Sequence, residues 1–165
     1  AAELWKKAKG IDDSPVVPYS ERKSLSAEHT FAQDSIDLEN MRSIISGMVE
    51  QLAFQLRQEK WLTSVVTIKI RYANFDTETK QCRISYTSAD HTLLKYALEL
   101  FKKLYTRRMR LRLIGIRFSG LVHGSHQMDL FEDTEELMNL YQSMDRMKNR
   151  FGKTAVGRAS GLLIQ

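Results

Sequence analysis

The side chains best suited to chemistry in this sequence are cations placed two residues apart along predicted strands. Residues i and i+2 of a strand project from the same face of a sheet. Guanidinium and ammonium groups gathered on one face donate charge-assisted hydrogen bonds to anionic oxygens, such as those of phosphates. The spacing therefore predicts an anion-binding face. The pairs with this spacing are Lys69 with Arg71 and Arg110 with Arg112, and Arg117 alternates with Ser119 later in the last predicted strand.

The positive charge is concentrated in the middle of the chain. Residues 60–120 hold thirteen basic and four acidic side chains, whereas the whole chain has a net charge of only +5. A concentrated block of one sign creates a local field and indicates a polyanionic partner. The alternative is a solvated surface on which cations cluster by chance.

No group of residues has the spacing of a catalytic or metal-binding site. His123 and His126 lie three residues apart, but no third and fourth ligand is spaced to match them. Asp12 and Asp13 lie in a connector, and Cys82 is expected to be an ordinary strand residue. We therefore predict no catalytic residue, no metal and no cofactor in this chain, which is then not itself an enzyme.

The sequence also favours a cellular compartment. A single cysteine rules out an internal disulfide and fits a reducing environment. The longest apolar runs fall far short of the roughly 18–20 residues that a membrane span needs. Residues 1–10 do not have the pattern of a signal peptide. We expect a cytoplasmic protein without a membrane partner.

Periodicity predicts the element order strand, helix, strand, strand, helix, strand. The predicted strands are 24–31, 64–75, 81–87 and 109–122, and the predicted helices between them are 38–60 and 91–105. Asp37 and Asp90 are the predicted caps of these helices. This order predicts an α+β fold, in which a four-stranded β-sheet carries two helices on one face. A C-terminal helix is predicted at 134–150, and a short helix at 3–9 precedes a connector that contains both prolines.

One face of the predicted sheet has no helices, and the cations lie on it. Hydroxyl side chains share this open face and increase its capacity to hydrogen-bond phosphates. They are Ser24, Ser26, Thr30, Thr67 and Ser119. Glu28 is the only clear acid in the strands that carry these residues. In the last strand Leu113 and Ile114 are adjacent and both apolar, which predicts a β-bulge near Gly115.

Residues 127–131, with the sequence QMDLF, place two large apolar side chains just before the last predicted helix. In one interpretation, Leu130 or Phe131 packs onto that helix as a hydrophobic staple. In the other, the segment is a linear peptide whose Leu130 and Phe131 side chains insert into an apolar pocket of a partner, while the Gln127 amide fixes its orientation.

Several segments resemble the DNA polymerase IV branch of the Y-family of translesion DNA polymerases. The segment GIDDSPVVPYSERKSLSAEHTF, which starts at Gly10, is similar to the family's connector between thumb and little finger together with the first little-finger strand. VTIKIRYANF at 66–75 and LRLIGIRFSGL at 111–121 resemble the second and last strands of that domain. QMDLF resembles the bacterial pentapeptide that docks on the sliding clamp, and MDRMKNRFG at 144–152 resembles family tails.

The resemblance implies a domain organisation and a function. It implies a thumb-helix remnant at 1–10, a connector at 11–23, a little-finger DNA-binding domain of βαββαβ fold at 24–122, and a clamp-binding peptide with a helical tail at 123–165. The chain would be a non-catalytic part of a DNA-directed DNA polymerase whose Mg²⁺ ions are held by carboxylates of a palm domain. Its partners would be primer–template duplex DNA and the sliding clamp, in the bacterial cytoplasm and at the nucleoid during repair.

The resemblance also assigns roles to residues of the connector and of the first and last strands. Those that match positions contacting the DNA backbone are Arg22, Lys23, Ser24, Ser26, Arg112 and Arg117. With the open-face positions, the full set predicted to contact DNA is Arg22, Lys23, Ser24, Ser26, Thr30, Lys69, Arg71, Arg110, Arg112, Arg117 and Ser119. The set predicted to contact the clamp is Gln127, Met128, Asp129, Leu130 and Phe131.

Two other classes of protein share features of this sequence. RNA-recognition modules have the same element order, but they present aromatic side chains on the open sheet for base stacking. Here Tyr72 and Phe118 fall on the inward phase of their strands. A protein-interaction module would instead use the basic face to bind an acidic protein.

Overall fold

The structure, a computed structural model, describes residues 2–12, 15, 21–124 and 135–159. Its elements in chain order are α1 (Ala2–Ala8), β1 (Ser24–Ser35), α2 (Leu38–Gln58), β2 (Trp61–Tyr72), β3 (Thr77–Thr87), α3 (Asp90–Leu104), β4 (Leu111–Ser119), β5 (Val122–His123) and α4 (Glu135–Phe151). None of the helices in these ranges has the length and apolar character required to cross a bilayer.

Four strands form an antiparallel sheet in the order β1-β4-β2-β3. Helices α2 and α3 pack against each other and against this sheet, α2 on β1, β2 and β4 and α3 on β2 and β3. The predicted α+β fold with two helices on one sheet face is therefore confirmed. The short strand β5, which the periodicity does not predict, pairs with the start of β2 through Trp61 and Leu62.

The covered face of the sheet is built from the apolar phase of each strand. In β2 the alternate residues Val66, Ile68, Ile70 and Tyr72 are completely buried. β-Branched and aromatic side chains suit this role because they pack well on a pleated surface. The helices close the core with their own apolar stripes, which include Met41, Ile45, Val49, Leu93, Ala97 and Phe101. Since this core occupies one face, side chains of the opposite phase remain on the open face.

The two core helices begin in different ways. Asp37 caps α2 as predicted, and its carboxylate accepts hydrogen bonds from the amides of Glu39 at 2.9 Å and Asn40 at 3.1 Å. The cap prediction for Asp90 is wrong, because Asp90 is the first residue of α3 and its carboxylate pairs with Arg57. A guanidinium competes well for this carboxylate since both partners carry a full charge.

The irregularity of the last strand lies at Arg112, so the predicted bulge near Gly115 is wrong. Residues 113–119 pair without interruption with both β1 and β2. Leu113 pairs with Arg71 of β2, and Leu111 pairs with the next residue, Tyr72. Arg112 therefore has no partner of its own in β2 and is the extra residue of the bulge. Leu113 and Ile114 can be adjacent and apolar without a slip because Leu113, on the open face, is only 7% exposed.

Helix α4 docks on the helical layer through a buried charge cluster centred on Arg57. The guanidinium of Arg57 donates to both carboxylate oxygens of Asp145 in α4, at 2.7 and 2.9 Å, and also to Asp90 and the Ser88 carbonyl. Burial alone would lower the pKa of Arg57, but the hydrogen bonds and charges of Asp145 and Asp90 raise it above its ordinary value. Nearby, the hydroxyl of Tyr141 lies 2.7 Å from a ring nitrogen of His91. The cluster therefore joins the ends of α2 and α3 to α4.

Removal of the Arg57 side chain should destabilise the protein strongly. In Arg57→Ala the fully buried Asp90 loses its counter-ion, and loss of one partner of a buried pair typically costs about 3–5 kcal/mol. We expect urea titration to show a decrease of about 3 kcal/mol in the free energy of unfolding. Arg42→Ala, an exposed arginine of the same helix, is the control and should change it by less than about 0.5 kcal/mol. Equal stability of the two variants would contradict this role.

Candidate nucleic-acid interface

The open face of the sheet arranges its side chains in four rows. Residues directly opposite one another in an antiparallel sheet project from the same face. Because β4 lies between β1 and β2 and pairs regularly with both, each row crosses four strands. In order, the rows are Ser24–Ser119–Val65–Arg83, Ser26–Arg117–Thr67–Gln81, Glu28–Gly115–Lys69–Thr79 and Thr30–Leu113–Arg71–Thr77.

These rows bring together most of the residues predicted to contact DNA. The predicted residues that they contain are Ser24, Ser26, Thr30, Lys69, Arg71, Arg117 and Ser119. The structure places these side chains on one surface.

The middle of the open face is concave at Gly115. The second and third rows border a hollow of about 420 Å³, which we call the Gly115 hollow. The residues that line it are Ser24, Ser26, Glu28, Thr67, Lys69, Thr79, Gly115, Ile116 and Arg117. Apart from Glu28, every polar side chain in this lining can donate a hydrogen bond to an anion.

Lys69 is ion-paired inside the Gly115 hollow. Its Nζ lies 2.7 Å from Oε1 of Glu28, although the two strands are separated by β4. The contact passes over Gly115, where an added Cβ would lie 3.0 Å from Cγ of Glu28. The absence of a side chain at Gly115 therefore leaves room for this close approach.

Arg117 is the exposed cation at the centre of the second row, between Ser26 and Thr67. Within residues 21–124 and 135–159, its guanidinium takes part in no ion pair or side-chain hydrogen bond. It therefore offers its donors to an external anion.

Arg112, at the bulge near the start of β4, is held by two neighbours. Its Nε and Nη2 donate to Asp34 at 3.1 and 2.9 Å, and its guanidinium lies 4.3 Å from the ring centroid of Phe75. Asp34 reaches this position because β1 extends to Ser35, four residues beyond its predicted end. The hydrogen bond from Arg112 outweighs partial burial and, with the charges of Arg112 and Arg110, holds the pKa of Asp34 below its ordinary value.

Arg110 lies in a loop, whereas Arg71 lies in a strand and is hydrogen-bonded. β4 begins at residue 111 and not at the predicted residue 109, so Arg110 is an exposed residue of the preceding loop. Arg71 belongs to the fourth row, where its Nε donates to the Thr77 hydroxyl at 2.9 Å.

The two predicted cations of the connector lie before β1. Arg22 donates to both carboxylate oxygens of Glu59 at 2.7 Å, at the C-terminal end of α2. In this structure its guanidinium is therefore engaged with the helical layer. Lys23 is exposed.

β3 adds side chains that our sequence reasoning did not include. Thr77, Thr79, Gln81 and Arg83 are exposed, and each of them ends one row. Their period of two is visible in the sequence, but the predicted strand begins at residue 81 and so leaves out Thr77 and Thr79. Without the register of β3 on β2, the other two could not be assigned to the open face.

Two observations bear on metal binding and thiol reactivity in the described ranges. These ranges contain no group of three or more His, Cys, Asp or Glu side chains arranged to hold a metal ion. Burial raises the pKa of the Cys82 thiol, which disfavours the reactive thiolate. The residues predicted to contact the clamp, 127–131, lie outside the described residues.

The amino-acid sequence matches one protein-family model and is similar to several curated proteins. The model of the impB/mucB/samB family C-terminal domain matches residues 22–130. A DNA polymerase IV of Dehalococcoides mccartyi is 31% identical over 158 residues, which cover 94% of this chain and 40% of that protein. A DNA polymerase IV of Halorhodospira halophila is 34% identical over 136 residues, which cover 79% and 37% respectively. This chain therefore spans about two fifths of the length of these relatives.

A solved structure has a similar fold. It is described as a complex of the beta-clamp processivity factor and the little finger domain of PolIV. The match has a TM-score of 0.51 and 17% sequence identity, and it covers 67% of this chain and 99% of the other. At this identity the likeness establishes the fold.

The pair of Arg112 and Asp34 gives a pH-dependent prediction. In Arg112→Gln the pKa of Asp34 should rise toward its ordinary value, because its main hydrogen-bond donor is lost. Carboxyl NMR titration of the parent and the variant measures this change, and Arg83→Gln is the control that should leave Asp34 unaffected. Since the folded-state pKa lies below the unfolded value, the pair stabilises the fold above the unfolded pKa, and this contribution is lost as pH falls through the folded pKa. An unchanged Asp34 titration in Arg112→Gln would show that the pair does not form in solution.

Proposed function

The chain belongs to the impB/mucB/samB family in the region of its C-terminal domain, and we propose that it is a non-catalytic little-finger domain that grips primer–template DNA by its phosphates. The observation that carries this proposal is the second row of the open face, where exposed Arg117 lies between two hydroxyl side chains. Because the chain spans about two fifths of its relatives, DNA polymerase activity with Mg²⁺ is proposed for the whole protein and not for these residues.

A backbone grip suits a polymerase that copies damaged templates. Base lesions alter the groups that sequence-specific proteins read, whereas the phosphates are unchanged. Hydrogen bonds and ion pairs to phosphates position a protein on the duplex without carrying sequence information. The open face offers hydroxyl, guanidinium and ammonium donors for such contacts. Contacts of these donors to phosphates do not depend on the identity of the base pairs.

The composition of the open face favours phosphates over stacked bases. Tyr72 and Phe118, the aromatic residues of β2 and β4 nearest the cations, are fully buried under the helices. The residues that flank them on the open phase of their strands are Arg71, Arg117 and Ser119. Single-strand RNA recognition on a sheet relies on aromatic platforms, which these positions do not supply.

We also propose that the protein docks on a sliding clamp through residues 127–131. The similar solved structure is a complex of a little finger domain with the beta-clamp. The sequence QMDLF supplies two large apolar side chains and an amide, a composition suited to insertion into an apolar pocket. A tether of this kind raises the local concentration of the protein at DNA without tight DNA binding.

Duplex binding should depend steeply on salt and on Arg117. If about four to six phosphates are neutralised, log affinity should fall with log salt at a slope of roughly −4 to −5. Fluorescence anisotropy with a labelled primer–template should show that Arg117→Ala weakens binding several-fold and reduces the slope by about one. Arg42→Ala, which removes the same charge from the helical layer, should reduce the slope much less. Equal effects of the two variants, or a preference for single-stranded RNA over duplex DNA, would refute the proposed interface.

Clamp docking should depend on the two apolar residues of the peptide. Leu130→Ala combined with Phe131→Ala should abolish capture of the chain by an immobilised bacterial clamp, because the anchors of the peptide are lost. Duplex binding and the urea midpoint should stay at the parent values. If the double variant is destabilised while it still binds the clamp, these residues form a staple on α4 and the docking proposal is wrong.

A further inference from the structure

The Gly115 hollow holds a negative charge on a face that otherwise suits anions. Glu28 lies in the third row, and its carboxylate reaches across β4 to Lys69. The residue between them, Gly115, has no side chain, and a Cβ there would be in tight contact with Glu28, 3.0 Å from its Cγ. The carboxylate therefore occupies space and a cation that an external anion would need.

We propose that the Gly115 hollow is a binding site for a single DNA backbone phosphate and that Glu28 is its resident competitor. This inference rests on the proposed function, because it concerns the same open face. The incoming phosphate takes Lys69 from Glu28, and the Glu28 side chain moves out of the hollow. The phosphate is then held by the Lys69 ammonium, by Arg117 and by the hydroxyls of Ser26 and Thr67.

The exchange is feasible because the resident ion pair is exposed to water. The side chains of Lys69 and Glu28 are 31% and 46% exposed, and ion pairs of this kind contribute little to stability. The hydroxyls in the lining are neutral donors that serve either a carboxylate or a phosphate. The fold therefore does not depend on keeping Glu28 in place.

Because of Glu28, the two cations Lys69 and Arg117 contribute differently to phosphate binding. Arg117 is unpaired within the described residues and gives its full charge to a phosphate. Lys69 must first give up a carboxylate, which stays nearby and repels the phosphate. Lys69 therefore adds little net affinity in the parent protein, and the face holds DNA more weakly than its cations alone would allow. A weak grip permits a domain to release one phosphate and engage the next.

The test is a double-mutant cycle on Glu28 and Lys69, measured by anisotropy with a duplex oligonucleotide. Glu28→Gln keeps the shape of the side chain and removes its charge. It should tighten binding roughly five- to tenfold at about 50 mM salt and steepen the salt slope by about one. In the parent protein, Lys69→Gln should change the affinity for the duplex by less than about twofold. In a protein that already carries Glu28→Gln, the same substitution should remove about the whole five- to tenfold gain in affinity. Circular dichroism confirms that each variant is folded.

The matched control is Glu99→Gln, which makes the same change in net charge at an exposed position of α3. It should leave the slope at the parent value. Equal gains from Glu28→Gln and Glu99→Gln would overturn the inference, because the effect would then be one of net charge. If Glu28→Gln binds like the parent while Arg117→Ala still weakens binding, the competitor is disproved and the proposed function stands. If Arg117→Ala has no effect either, both proposals fail.

Discussion

The position of β4 between β1 and β2 is the constraint on which the rest of the interface depends. From Leu113 to Ser119 its register with both neighbours is unbroken, so alternate residues of three strands line up in rows. A shift of one residue would bring Ile114, Ile116 and Phe118 to the open face and bury Arg117 beneath the helices. The fully buried side chains on the inward phase, and the helices that pack on them, therefore hold the cations outward.

Three of the cations predicted to contact DNA are already ion-paired within the protein. Glu28 pairs with Lys69, Asp34 with Arg112 and Glu59 with Arg22. Internal pairs of this kind keep the side chains ordered and compete with phosphate for them. Cations with these pairs are suited to a moderate, salt-sensitive hold on a polyanion.

The sequence predicted the fold well because its patterns are local. The alternation of Val66, Ile68 and Ile70, and the cap at Asp37, each follow from a few neighbouring residues, and the structure agrees with both. It predicted poorly what depends on register or on distant partners. The bulge falls at Arg112, where the β1–β4 and β2–β4 pairings both shift, and Asp90 serves Arg57 from another helix. Period-two reasoning likewise placed Lys69 and Arg117 on one face, but only the register shows that Glu28 meets Lys69 over Gly115.

Our proposal that duplex DNA lies on the open face of the sheet can be tested directly by a single measurement. Amide NMR spectra of the ¹⁵N-labelled chain during titration with a short duplex show which residues sense the DNA. We expect the largest shifts on the rows around Thr67, Gly115 and Arg117, and little change in α2 and α3. Shifts concentrated on the outer surfaces of α2 and α3, with the open face unaffected, would contradict this proposal.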